Sequence, residues 1–259
     1  MSQTLRSAAA YVLPPALALI AAFAFWEFWV QWRDIAIIVV PPPSAVWERF
    51  VEDPEFFWRE GGWTLYEATL GLLMGSAFAI ALAVVMAHSR LAERALFPLA
   101  IVIKVTPIVA VAPVLVILFG FGTTPKIVVA ALLSFFPMLV NAMTGFRDVN
   151  PGALEFMRSL RASPWQLFWK LRAPSALPYL FAALKVTYPL ALIGAVVAEW
   201  FTGDRGLGLV IFVANSNLDT PTLFAAIGVL ALTGVSLNVI LSLAERRILF
   251  WHQTTRTVQ

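Results

Sequence analysis

The chain has 259 residues, 60% of them apolar or aromatic and 13% charged, against about 45–50% and about 25% in a soluble domain, which excludes an ordinary water-soluble core. Its net charge of +3 is too small to mark a nucleic-acid partner. The lack of cysteine excludes a disulfide framework, a thiolate metal site and a cysteine nucleophile.

The charges fall in bursts between long apolar runs. A bilayer core of about 30 Å takes about 20 apolar residues of helix, and six spans are predicted, at 13–30, 64–87, 96–119, 125–144, 177–200 and 221–243. The first is long for a signal peptide and no small-residue cleavage site precedes Pro41-Pro42-Pro43, so it reads as a retained span. A short amphipathic stretch, 44–50, follows the prolines. Thr124-Pro125 and Thr220-Pro221 each place a hydroxyl cap before a proline at the first helical position.

With the N-terminus inside, eleven basic residues lie in inner segments: Arg6, Arg90, Arg94, Arg147, Arg158, Arg161, Lys170, Arg172, Arg246, Arg247 and Arg256. Five lie outside, namely Arg33, Arg49, Arg59, Lys126 and Arg205. The positive-inside rule then places both termini in the cytoplasm of a multi-pass inner-membrane protein.

Charge within a span is costly and faces protein or water. The third span holds Lys104, Thr106, Pro107 and Pro113, and proline breaks at membrane depth are tolerated where they line a cavity. In the fifth span, Lys185, Tyr188 and Glu199 share one face by helical spacing. These six residues (Lys104, Thr106, Pro107, Lys185, Tyr188, Glu199) are the candidates for a translocation path. Glu27 and Glu67, near outer ends, are expected to be wet.

Enzymatic readings fail on their residues. His88 and His252 lack carboxylates at ligand spacing, so no metal site is expected. Gly203-Asp204-Arg205-Gly206 lacks the lysine of a phosphate loop. Ser134 and Ser159 have no base nearby in sequence.

The inner segment at 145–176 carries the functional signal. Asn150-Pro151 starts a helix of about ten residues, and Ser163-Pro164-Trp165-Gln166 is a capping box starting a second, which Pro174 is expected to end. Glu155, Arg158 and Arg161 recur on one face of the first helix, with Leu154, Met157 and Leu160 on the next. Such an elbow suits a helix-in-groove contact.

The run Glu155-Phe156-Met157-Arg158-Ser159-Leu160-Arg161-Ala162-Ser163, with Pro174 downstream, resembles the EAA loop of binding-protein-dependent ABC importer permeases. Glu155 and Pro174 stand at the motif's Glu and Pro positions; Phe156-Met157 replaces its two alanines and Arg161 its glycine. With the flanks at 165–174, 194–199 and Gly206-Leu207-Gly208, the match is best over 62–250 and resembles the nitrate, sulfonate, taurine and pyrimidine-riboflavin branch.

The resemblance implies one transmembrane permease domain over 1–259, all-α, with the type I importer fold. It implies an ATPase-coupling surface at Glu155, Met157, Arg158, Leu160, Arg161, Ser163 and Pro174. Its implied partners are a cytoplasmic ABC ATPase dimer that binds ATP and Mg, a second permease copy (identical or not), a periplasmic or lipid-anchored solute-binding protein, and membrane lipid. The chain itself would carry no cofactor and no catalytic residue. The implied cargo is a small solute: a sulfonate, taurine, or a heterocyclic precursor such as a pyrimidine or riboflavin. The alternative, an ion-gradient-driven secondary transporter, calls for inverted repeats, and no internal repeat is present.

Overall fold

The computed structural model describes residues 2–250, in which every regular element is a helix. His252, Arg256 and the side chain of Arg6 lie outside that description. Among the described residues five helices are long and apolar enough to cross a bilayer, and the count reaches the six predicted spans when one bent pair is taken as a single broken span. The chain divides into two compact units, Met1–Arg59 with Val210–Val229, and Glu60–Leu209 with Leu230–Gln259.

In the first unit, α1 (Ser2–Trp32) carries Glu27, whose carboxylate accepts from Ser44 N at 2.9 Å and Ser44 Oγ at 2.8 Å. Those bonds tether α2 (Pro43–Glu52), the predicted amphipathic stretch, at its proline-started first turn. Glu27 is therefore engaged rather than simply wet. Arg49 of α2 donates to Thr222 Oγ1 at 2.9 Å and lies 5.5 Å from the Phe57 ring centroid.

The second unit holds most of α3 (Pro54–His88), α4 (Arg90–Val105), α5 (Ile108–Phe119) and α6 (Thr123–Arg147). It continues through α7 (Pro151–Ser159), α8 (Pro164–Leu167) and α9 (Ala173–Thr202) into the start of α10 (Leu207–Ser216), and includes the later part of α11 (Thr220–Ile248). Helices α6 and α9 pair extensively. Small residues make it possible: lipid offers no hydrophobic drive between spans, so backbones must approach closely. A Cβ on Gly194 of α9 would stand 2.8 Å from Ala130 Cα of α6, and one on Gly145 would stand 3.0 Å from Ala176 Cα. Ala79, Ala83, Met86, Met138, Leu139, Ala142 and Ala183 fill the core beside them.

The structure departs from the predicted elements at four places. The third span is two helices, α4 and α5, bent by 97°. The stretch after Glu199, expected to be a plain outer loop, contains the apolar helix α10, too short to register as a span. Pro174 does not end a helix. A π turn at Phe168–Arg172 joins α8 to α9 as one 39-residue apolar helix, and Ala173 N donates to Phe168 O there. A widened turn tolerates Pro174's missing amide in the ladder. Finally, α7 stops at Ser159, so Arg161 leaves the predicted face and takes a positive φ of 53°. The bend occupies the position of the motif's glycine, where a left-handed backbone is wanted.

Replacing Gly194 by Val should wedge α9 off α6. Overpacking of this kind costs about 1–3 kcal/mol, so the variant should insert but show a lower melting temperature in detergent, while Leu192→Val on the same helix stays near wild type.

Candidate functional site

Three places in the second unit gather the sequence's candidates. The first is the break between α4 and α5. Pro107 has no N–H and biases Thr106 out of the helical region; Thr106 sits at ψ 124° and ends α4, its N–H and hydroxyl both bonded to Val102 O, at 3.1 and 2.7 Å. Beside the break is a cavity of about 330 Å³. Lys104 and Thr106 line one wall, Ile108 and Val111 of α5 another, and Phe136 and Pro137 of α6 a third. The Lys104 ammonium lies 4.7 Å from the Phe136 ring centroid, a cation–π contact. Lys104 and Thr106 thus line the cavity, and Pro107 makes the break beside it without lining it.

Lys185, Tyr188 and Glu199 are not brought to that cavity. Lys185 is ion-paired with Glu245 of α11. Tyr188 is 2% exposed, packed with Leu72, Ala130 and Ala191, its hydroxyl without a hydrogen-bond partner among the described residues.

Glu199 belongs to a buried polar network, the second place. It has no exposed surface, and its carboxylate accepts from Thr64 Oγ1 at 2.7 Å and from Gly208 N. Leu207 N donates to Thr64 Oγ1 and Gly206 N to Glu60 Oε2, each at 2.8 Å. Gly206 has φ 108° and a Cβ there would strike the Glu199 carboxylate, so Gly206-Leu207-Gly208 is a backbone built around that acid. Alongside, Lys126 in the first turn of α6 is also without exposed surface. Its ammonium reaches Glu67 at 3.0 Å, Asp204 at 2.6 Å and Arg205 O at 3.0 Å. Burial opposes the charge of Asp204, yet the Lys126 hydrogen bond and charge hold its carboxyl below the usual carboxylate range. That contact stabilises the fold above the ordinary Asp pKa and is lost as pH falls through the lowered one. The sequence missed this network: Lys126 counted as an outer charge and Glu67 as wet, and no local signal marked either as buried.

The third place is the segment around α7. Asn150 Oδ1 accepts from Ala153 N at 3.1 Å, capping α7 as predicted. Ser163 and Gln166 form the predicted capping box, with bonds of 3.3 and 2.8 Å. Glu155 and Arg158 are exposed and Met157 half-buried. Leu160 is 62% exposed and Phe156 63%, so the uncovered apolar surface of this short helix includes a residue the sequence treated only as a replacement for alanine. Past the cap, Trp165, Phe168 and Trp169 cluster, and Phe168 reaches Phe146 of α6 at 5.6 Å and His88 of α3 at 5.9 Å between ring centroids. Arg147 closes the same end, bonded to Glu93 at 2.6 Å and to Met86 O at 3.1 Å. Among the described residues no cluster of three or more metal-ligating side chains occurs.

Residues 71–250 match the family model described as "Binding-protein-dependent transport system inner membrane component". A riboflavin transport system permease protein of Chloroflexus aurantiacus is 35% identical over 241 residues, covering 92% of this chain and 89% of that protein. A formylaminopyrimidine transport permease protein of Halalkalibacterium halodurans is 30% identical, over 93% of this chain and 96% of that one. Among solved structures, an inward-facing methionine ABC transporter superposes with a TM-score of 0.64 at 17% identity, covering 76% of this chain and 96% of its own.

Replacing Lys126 by Met leaves Glu67 and Asp204 facing each other without their cation. Breaking a buried pair from one side costs about 3–5 kcal/mol, so monodisperse protein recovered by fluorescence-detected size exclusion should fall sharply. The double change Lys126→Met with Glu67→Gln should restore part of it, and no recovery would mean the loss lies elsewhere.

Proposed function

The chain belongs to the binding-protein-dependent transport inner-membrane family as the permease subunit of an ATP-driven importer of small solutes, and we propose that its path runs at the α4–α5 break. It is not an enzyme: ATP hydrolysis is the work of a separate subunit. The carrying observation is the 97° bend beside a cavity walled by α4, α5 and α6. Irregular backbone at membrane depth is stable where it is enclosed by protein or lines water, and transporters place solute at such broken helices.

The rest of the machine follows from that role. Residues 151–163 dock a cytoplasmic ATPase, one per permease, in a pair that binds ATP and Mg. Leu160 and Phe156 are the apolar anchors; Glu155, Arg158 and Arg161 form the polar rim around them. Pro174 and Ser163 set the geometry behind the helix. A second permease copy completes the path, and an external binding protein delivers the solute. Both termini face the cytoplasm, which puts the Lys126 network at the outer end. The whole chain acts as one permease domain. Relatives named for riboflavin and formylaminopyrimidine favour a heterocyclic organic cargo over an inorganic oxyanion.

ATP-driven closure of the docked ATPases would move the α7 segments as rigid bodies and tip the spans between two states. Phe168 is placed to carry that motion, since it bridges the segment beyond Ser163 to both α6 and α3.

Two measurements test this. Truncating a buried anchor in a groove costs about 2 kcal/mol or more, so Leu160→Asp should weaken co-purification of the cognate ATPase by at least about tenfold with insertion unchanged. Retention of the ATPase and of transport would reduce α7 to an ordinary basic loop. Single cysteines replacing Thr106 and Val111 in this cysteine-free chain should react with small water-soluble thiol reagents, whereas one replacing Ala130 stays protected. Protection at all three would seal the break and remove the path from it.

A further inference from the structure

We propose that the cavity at the α4–α5 break is a solute subsite for a flat heteroaromatic ring carrying an electron-rich edge and N–H donors. This rests on the placing of the path at the break. The observation behind it is the ammonium of Lys104. Three other cations on the apolar helices, Lys126, Lys185 and Arg147, each have a carboxylate within 3.0 Å. Lys104 has none among the described residues, and its partner is the face of Phe136. A cation held on apolar walls without a counter-charge leaves a donor free for a guest's carbonyl, ring nitrogen or anionic oxygen.

The walls narrow the chemistry further. Ile103, Ile108, Val111 and Leu132 are aliphatic, and Phe136 adds a ring face. A compact, strongly hydrated oxyanion entering here would exchange its water for one ammonium and hydrocarbon, which is unfavourable. A planar ring would bury its faces against the aliphatic walls and Phe136 and keep only its edge polar. Acceptors for that edge are also present. Pro107 and Pro137 each lack the amide that would bond the carbonyl four residues earlier, those of Ile103 and Leu133, and both residues line the cavity. One donor and two released acceptors among apolar walls fit a lactam-like edge. A volume of about 330 Å³ sits at the small end of ligand sites, suited to a compact ring system rather than a sugar chain or peptide.

The test uses the full chain in membrane vesicles with a single cysteine replacing Val111. Its labelling rate by a small methanethiosulfonate is measured alone and with millimolar uracil, lumazine, ethanesulfonate or nitrate. Uracil or lumazine should slow labelling by about threefold or more, as mass action gives once a probe reaches about twice its Kd. Ethanesulfonate and nitrate should leave it unchanged. Adding Lys104→Met should abolish the protection while the unprotected rate stays the same, and Lys104→Arg should keep it. The proposal is overturned by protection from ethanesulfonate or nitrate instead of the rings. It is equally overturned by protection that survives Lys104→Met, by no protection from either ring, or by a Val111→Cys thiol that never labels. Intact ATPase co-purification and transport in the same preparation would then discard the ring subsite alone and leave the permease role standing.

Discussion

An ammonium with no exposed surface is tolerated only where carboxylates and carbonyls take the place of its water, and Lys126 meets that condition with Glu67, Asp204 and the Arg205 carbonyl. Those partners come from α3 and from the loop after α9, so satisfying one charge fixes two other parts of the second unit against the first turn of α6. Glu199 repeats the logic with opposite sign, collecting Thr64 and the Gly208 amide. Helix α6 also pairs along α9 and supplies Phe136 and Pro137 to the cavity wall, so one helix joins this network to the break.

The polar groups at these two places differ in kind. At the Lys126 end each charged side chain is bonded to another part of the chain. At the α4–α5 break they are open, with Lys104 facing a ring and two prolines leaving carbonyls without their usual amides. A closed cluster makes a fixed frame; an open one has bonding capacity left for a guest. Solute handling requires both, since a path whose every donor was satisfied internally would have nothing to offer cargo.

Local features were legible in the sequence and long-range ones were not. The Asn150 cap and the Ser163–Gln166 box involve residues three apart, so residue type and spacing suffice. The spans follow from apolar length. The partners of Lys126 lie 59 and 79 residues away, and nothing local distinguishes a buried first-turn lysine from a wet one. Thr106-Pro107 announces a break, but the 97° angle depends on what packs against each half. Pro174 misled because a proline normally stops a helix, and the widened turn that accommodates it leaves no mark in composition. Arg161 hid its bend because arginine rarely takes a positive φ.

The turn at Phe168–Arg172 has a consequence for how α7 is aimed. A π turn is a helix holding one residue more than its ladder needs. Deleting any single residue within it would let the ladder close normally. Because the widened turn takes up that residue within itself, α8, the Ser163 cap and α7 would keep nearly the bearing they have. The same deletion in the regular part of α9, with no surplus residue to absorb it, would instead rotate everything before it by about 100°, one residue's share of a 3.6-residue turn. The aim of α7 is thus insensitive to the loss of a residue at this turn and highly sensitive to the same loss a turn or two further on.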